Sequence, residues 1–121
     1  MKIINRDRKL KRKRRISRSI FGTKNRPRIS IFRSNRYIYA QAIDDKVRKT
    51  LASSSSFVLI KSKKINKKMK KKEEAKYVGL DLAEKLKKIN IKWAVFDRGP
   101  YHYHGRVAAL VDGLREGGIK I

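Results

Sequence analysis

Cysteine is absent from the 121-residue chain, which excludes disulfides and thiolate metal sites and leaves the redox compartment open. Acidic residues are scarce, 10 against 35 Lys+Arg, and there are only two histidines. So few ligands and proton carriers argue against a metal centre or acid–base catalysis. No apolar window approaches the ~18 residues of a membrane span. No secretory apolar stretch lies near Met1. The first residues are Arg-rich but lack the Ser-rich amphipathic character of a transit peptide, and are expected to belong to the mature protein. No internal repeat is visible.

What the chain has in excess is positive charge. Charged residues make up 37%, against about 25% in an average protein. The formal net charge is +25. A single small domain carrying that charge repels itself. A polyanionic partner relieves the repulsion, because each neutralised phosphate releases a condensed counterion. Nucleic acid is the expected partner. A merely soluble basic protein, or one held on anionic lipid, is the plainer alternative.

The charge is densest at the start, where residues 1–28 hold 13 Lys/Arg and one acid, Asp7. Their apolar residues (Ile3, Leu10, Ile16, Ile20) are too sparse for a full buried stripe. A block of this kind is expected to be a basic arm over 1–25. It would become ordered, as helix, when phosphates screen its charges, with Gly22 ending the helix. Arg6, Arg8, Arg12, Arg14, Arg15 and Arg18 are its candidate RNA contacts. The rest, 26–121, reads as one domain.

After Pro27 the hydrophobic period becomes two. Ile29 and Ile31 alternate with Ser30 and Phe32, predicting a strand over Arg28–Arg33. Ser34-Asn35 supplies a turn. A second strand, Tyr37–Ile43, turns Ile38, Ala40 and Ala42 inward. A third, Val47–Ser54, turns Leu51 inward and Arg48, Thr50 and Ser54 outward. Residues 53–72 read as a long connection whose apolar patch, Phe57–Ile60, either extends the third strand past a bend or packs beneath the loop. From Glu73 the period is helical, with Ala75, Val78, Leu82, Leu86 and Ile89 on one face. Glu73 and Glu74 suit the helix start, Lys85, Lys87 and Lys88 its end, and Asn90 its cap. Ile91–Phe96 reads as a short buried strand. A last helix from His104 to Glu116 presents Val107, Leu110, Val111 and Leu114 inward and ends at Gly117-Gly118. The predicted class is α/β: a small antiparallel meander plus a fourth strand with two packed helices, β-β-β-α-β-α.

Three features carry candidate chemistry. The arm is the first; its plainer reading is a solubilising or targeting tail, but the remainder of the chain is basic too. The outer face of the meander is the second, with Arg28, Ser30, Phe32, Tyr37, Tyr39, Gln41, Arg48 and Thr50. Aromatics stack on bases, and small hydroxyl and amide groups suit the 2′-hydroxyl, whereas the plainer reading is ordinary cross-strand packing. Arg33 and Arg36 flank the hairpin turn and can fork onto phosphate. The third is the loop from Asp97 to Arg106. His102 and His104 raise the thought of metal or catalysis, but no nucleophile and no Gly-rich phosphate motif accompany them. The expectation is instead a phosphate seat, formed by the helix-opening N–H groups and Gly105 beside Arg98 and Arg106. Asp97 is expected to organise the loop by bonding local N–H groups or Arg98. A DNA-compacting protein would share the charge, but there is no recognition helix and no heptad seam.

Two blocks are familiar. Arg26-Pro27-Arg28-Ile29-Ser30-Ile31-Phe32-Arg33-Ser34-Asn35, with Tyr37–Gln41 and Ile43-Asp44-Asp45, resembles the bacterial and plastid large-subunit ribosomal protein eighteen family. So do Phe96-Asp97-Arg98-Gly99, Tyr103-His104-Gly105-Arg106-Val107 and Arg115-Glu116-Gly117-Gly118. The resemblance runs from Arg26 to the end. It implies a non-enzymatic, cofactor-free component of the central protuberance that binds 5S rRNA and helps attach it to large-subunit rRNA, among neighbouring ribosomal proteins. It involves no membrane and no small-molecule substrate. By motif, the implied rRNA contacts are Arg28, Arg33, Ser34, Arg36, Tyr37, Tyr39 and Gln41, then Arg98, Tyr103, His104, Gly105 and Arg106. The Lys-rich stretch 61–72 departs from relatives. Abundant Ile and Lys, with the wording of residues 34–45, point towards a plastid ribosome, a bacterial one being the alternative.

Overall fold

The computed structural model describes residues 20–66 and 68–121. The chain enters through an extended segment that Gly22 ties down. Gly22 N–H donates to Asp45 Oδ2 at 2.8 Å, and Asp45 N–H returns a bond to Gly22 O at 2.9 Å. A Cβ at Gly22 would fall 2.3 Å from Arg28 N, so only glycine fits against the first strand there.

Strands β1 (Arg28–Arg33), β2 (Ile38–Asp44) and β3 (Lys49–Ser55) form the antiparallel meander, and β4 (Val95–Asp97) pairs in parallel with β1. The sheet order is β3-β2-β1-β4. Alternation works as expected in β1 and β2: Ile29, Ile31, Ile38, Ala40 and Ala42 are buried, while their neighbours face outward or are half-covered.

The third strand departs from simple alternation. A register shift opposite Ala42/Ile43 leaves Leu51 as an extra residue between Thr50, which faces Ile43, and Ala52, which faces Ala42. A bulge resets which side each later residue faces. Ser54 therefore points inward, against the expectation, and is buried. Its hydroxyl donates to Asp81 Oδ2 at 2.7 Å, pinning the strand to the helix behind it. Arg48 does not lie on the strand at all; it occupies the preceding turn with φ 55.

The undecided connection opens with a helix, α1 (Ser56–Lys61), capped by Ser55, whose Oγ accepts from Val58 N–H. Ser56 Oγ accepts from Ile38 N–H at 3.0 Å, closing the end of β2. Helix α2 (Lys71–Lys88) lies on β2 and β3, and helix α3 (Arg106–Glu116) packs on α2. Every residue foreseen for the inner face of α3 is buried. In α2, Ala75, Val78, Leu82 and Leu86 are buried, but Ile89 is exposed because the helix has already stopped and Asn90 takes φ 62. The last helix starts two residues later than expected, after Gly105, and β4 starts at Val95 rather than Ile91. Trp93 instead makes an isolated bridge to Lys120. The helices cross where Gly79 and Gly113 meet: a Cβ on either would lie 2.1 Å from the opposing backbone carbonyl. The three described helices stand on one side of the sheet, and among the described residues nothing covers Phe32 at the hairpin end of the other side.

Candidate nucleic-acid interface

The open side presents aromatics in register. Phe32 and Tyr39 are Cα partners on β1 and β2, their rings 5.9 Å apart and tilted by 42°. Phe32 is 59% exposed, although a large apolar ring gains by burial. Gln41 sits beside Ser30 on one side and Ser53 on the other. The structure thus brings Tyr39, Gln41, Ser30 and Phe32 together, giving stacking faces edged by hydroxyl and amide groups.

The hairpin tip is built to stay in one shape. Ser34 N–H donates to Tyr37 O at 2.8 Å, and Tyr37 N–H donates to Ser34 Oγ at 3.1 Å. From the helix side, Arg106 Nη1 donates to Ser34 O at 2.9 Å and Lys71 Nζ donates to Asn35 O. Arg33 lies over the Tyr101 ring at 5.1 Å, while its own N–H donates to the Tyr101 hydroxyl. Arg36 is exposed and has no hydrogen bond or ion pair with any described residue. Of the two tip arginines, Arg36 is the one left for a phosphate. Tyr37 does not join Tyr39 on the outer face as expected: it is half-buried beside Ile60, Met69 and Glu74, its ring edge-on to Phe57 at 5.1 Å.

Arg28 is placed differently from its neighbours. Its guanidinium donates to Asp45 through Nε (2.9 Å) and Nη2 (3.0 Å) and to Asp97 through Nη1 (2.9 Å). The hydrogen bonds to Asp45 are the main reason that its pKa is raised, and they hold the Asp45 carboxyl below the ordinary aspartate range. Asp97 does organise its loop, accepting from Gly99 N–H at 2.9 Å, and it pairs with the Arg28 guanidinium across the sheet. With three of its N–H groups engaged, Arg28 acts first as the tie between the arm's exit, the meander and β4.

The second block forms a loop at the start of α3. Arg98, His102, Tyr103 and His104 are exposed, and Gly105 takes φ 58, with Lys72 Cε 4.0 Å from where a Cβ would stand. Tyr103 is backed edge-on by Phe96 at 6.1 Å. Helix α3 has no side-chain cap; Val107 N–H is taken by His104 O at 3.3 Å, and the remaining first-turn N–H groups are left for an anion. Arg106 is less available than its neighbours. Burial lowers its pKa, the nearby Arg33 adds to the effect and Glu74 opposes it. Its Nε and Nη2 are buried without partners. The arm positions Arg6, Arg8, Arg12, Arg14, Arg15 and Arg18, with the helix expected there, lie outside the described residues. Among the described residues no three of His, Cys, Asp or Glu are grouped to hold a metal ion. Nor is any described helix long and apolar enough to cross a membrane.

Two features escaped the sequence reading: Phe57, which supports Tyr37, and the carboxylates that hold Arg28. A pair of serines, the first of them the cap, followed by four apolar residues was the available signal for the first. Nothing local signals the second.

Comparison with known proteins follows the same outline. The family model described as Ribosomal L18 of archaea, bacteria, mitoch. and chloroplast matches residues 4–121. A "Large ribosomal subunit protein uL18" from Nitratiruptor sp. is 53% identical over 112 residues, covering 93% of this chain and 89% of that protein. The protein of the same name from Thermotoga neapolitana is 45% identical over 117 residues, covering 94% and 93%. That from Lactobacillus johnsonii is 51% identical over 112 residues, covering 93% and 91%.

Proposed function

The chain belongs to the large-subunit ribosomal protein eighteen family, and from that premise we propose that it binds 5S rRNA and helps attach it to the large-subunit rRNA in the central protuberance. Membership makes it a structural, non-catalytic constituent of the large ribosomal subunit, associated with rRNA. The observation that carries the finer reading is the pairing of a net charge of +25 with a rigid hairpin and an open aromatic face. The charge supplies sequence-independent affinity, and the shaped face supplies selection for folded RNA.

The contacts we assign are Tyr39 and Gln41 on the open sheet face, Arg33, Ser34, Arg36 and Tyr37 at the hairpin tip, and Arg98, Tyr103, His104, Gly105 and Arg106 at the loop, extended by the arm over 1–25. Arg28 contributes chiefly by holding the face in shape. Neighbouring ribosomal proteins are the further partners.

A plastid ribosome as its home rests on the Ile- and Lys-rich composition; the relatives quoted above are bacterial and support the bacterial cytoplasm. Binding of purified protein to folded 5S rRNA and to duplex DNA of equal length, measured across a salt series, tests the main reading. Tighter binding to 5S rRNA is expected, with affinity falling steeply as salt rises. Equal affinity for both in moderate salt overturns it.

A further inference from the structure

A cavity of about 450 Å³ opens between the hairpin tip, α1 and the start of α2, lined by Arg36, Tyr37, Ile60, Met69, Lys71 and Glu74. We propose that this cavity takes one unpaired nucleobase of the bound RNA, with guanine preferred. The proposal rests on the RNA-binding reading above and adds to it a site of base selection.

The anomaly is Glu74. It is only 4% exposed, and its Oε2 is buried with no hydrogen-bond partner. Arg106 feels its charge, yet no ion pair joins them among the described contacts. A buried acceptor left without a donor is costly, and a carboxylate more so. Charge attraction to phosphate does not account for it, since an acid in an RNA-facing pocket repels the backbone. A carboxylate accepts only, so the group that satisfies it must bring N–H or O–H donors, and two side by side if it is to meet both oxygens.

Bases bring such donors on their Watson–Crick edges when splayed out of a helix. Guanine carries N1–H and N2–H₂ side by side, a pair that the two oxygens of one carboxylate accept together once Glu74 turns its buried Oε2 towards the cavity. Adenine and cytosine each set a single amino group beside an acceptor, and uracil flanks its one N–H with two carbonyls. The other walls suit a flat ring. Tyr37 offers a face held in place by Phe57, edge-on at 78°, while Ile60 and Met69 are apolar. The exposed Arg36 is available to the attached phosphates, and Lys71, whose Nζ also holds Asn35 O, adds positive charge beside it. The volume lies within the roughly 300–1,000 Å³ of small-ligand sites.

The test uses the full chain carrying methyl labels on Ile and Met. Guanosine, adenosine, cytidine and uridine 5′-monophosphates are each titrated while the Ile60 and Met69 methyl resonances are followed. Shifts at the lowest concentration with the guanosine nucleotide, lost in Glu74→Gln, are expected. In parallel, Glu74→Gln should bind 5S rRNA roughly five- to a hundredfold more weakly, the range of one bidentate base contact. Its thermal unfolding should be unchanged or raised. Methyls that respond to no nucleotide, or equally to all four, overturn the proposal, as does a Glu74→Gln protein that folds and binds RNA as well as wild type; the pocket then holds a hydrated carboxylate only. If Glu74→Gln fails to fold, the wild-type nucleotide titration decides alone. Failure of the wild type to bind 5S rRNA at all would instead strike the functional reading.

Discussion

Arg28 and Asp97 stand 69 positions apart in the chain, and their side chains meet at 2.9 Å on the outer side of the sheet, where β1 and β4 run in parallel. Asp45 closes the other side of the same guanidinium at 2.9 Å and also accepts from Gly22 N–H. One side chain thus links the arm's exit, the β2–β3 turn and the loop that leads to α3. The two halves of the proposed RNA face are joined through it.

Arg28→Ala should therefore behave as a stability variant. Removing one member of a mostly buried network takes the shared guanidinium away from the two carboxylates that flank it. A fully buried pair costs about 3–5 kcal/mol to break, and this partly solvated one should cost about 2–3 kcal/mol. Urea unfolding measures the loss. RNA affinity should fall only as far as the folded fraction falls. A variant as stable as wild type but weak on RNA would make Arg28 a direct contact after all.

The same network sets an acid limit. The folded-state pKa of Asp45 is lowered, first by its hydrogen bond from Arg28. A lowered carboxylate pKa contributes stability that is complete above the unfolded value, near pH 4, and lost as pH falls through the lower folded value. Urea midpoints should be flat from about pH 7 to pH 5 and drop below about pH 4. In Asp45→Asn that drop should be smaller. An unaltered acid profile in the variant would assign the acid sensitivity to other carboxylates.

Local pattern made much of this legible. Period two placed Ile29, Ile31, Ile38, Ala40 and Ala42 inside, and period 3.6 placed Val78, Leu82, Leu110 and Leu114 inside, because burial of one face is what each repeat encodes. The bulge at Leu51 was not legible: it depends on the pairing partner across the sheet, and it turned Ser54 inward to meet Asp81. Nor was the engagement of Arg28, since a guanidinium beside a basic arm reads as a phosphate ligand until Asp45 and Asp97 fold around it. Arg36 and Tyr39 kept their expected exposure or half-exposure because they lie at the tip and on the open face, where few long-range contacts compete.

The crossing of α2 and α3 makes a third prediction. With Gly79 and Gly113 each set against the other helix's backbone, an added methyl at either has no room. Overpacking costs about 1–3 kcal/mol, and Gly79→Ala should reach the upper end, since backbone rather than a flexible side chain is in the way. Helix propensity opposes this by about 1 kcal/mol in alanine's favour and should not reverse the sign. Thermal unfolding of the single variants checks it. A stabilised Gly79→Ala would mean that the helices separate at little cost.

Arg36 and Arg33 separate charge from structure at the hairpin tip. Arg36 is exposed and unengaged among the described residues, whereas Arg33 lies over Tyr101. Arg36→Ala should leave unfolding unchanged, weaken 5S rRNA binding and reduce the slope of log affinity against log salt by about 0.7–0.9, one phosphate's worth. Arg33→Ala should lose, besides affinity, about 0.5–1 kcal/mol of stability with its ring contact. Circular dichroism of the double variant should match wild type, because Ser34, Tyr37 and Arg106 still close the turn. If the salt slope of Arg36→Ala equals that of wild type, no phosphate lies at the tip, and the RNA must sit further along the sheet.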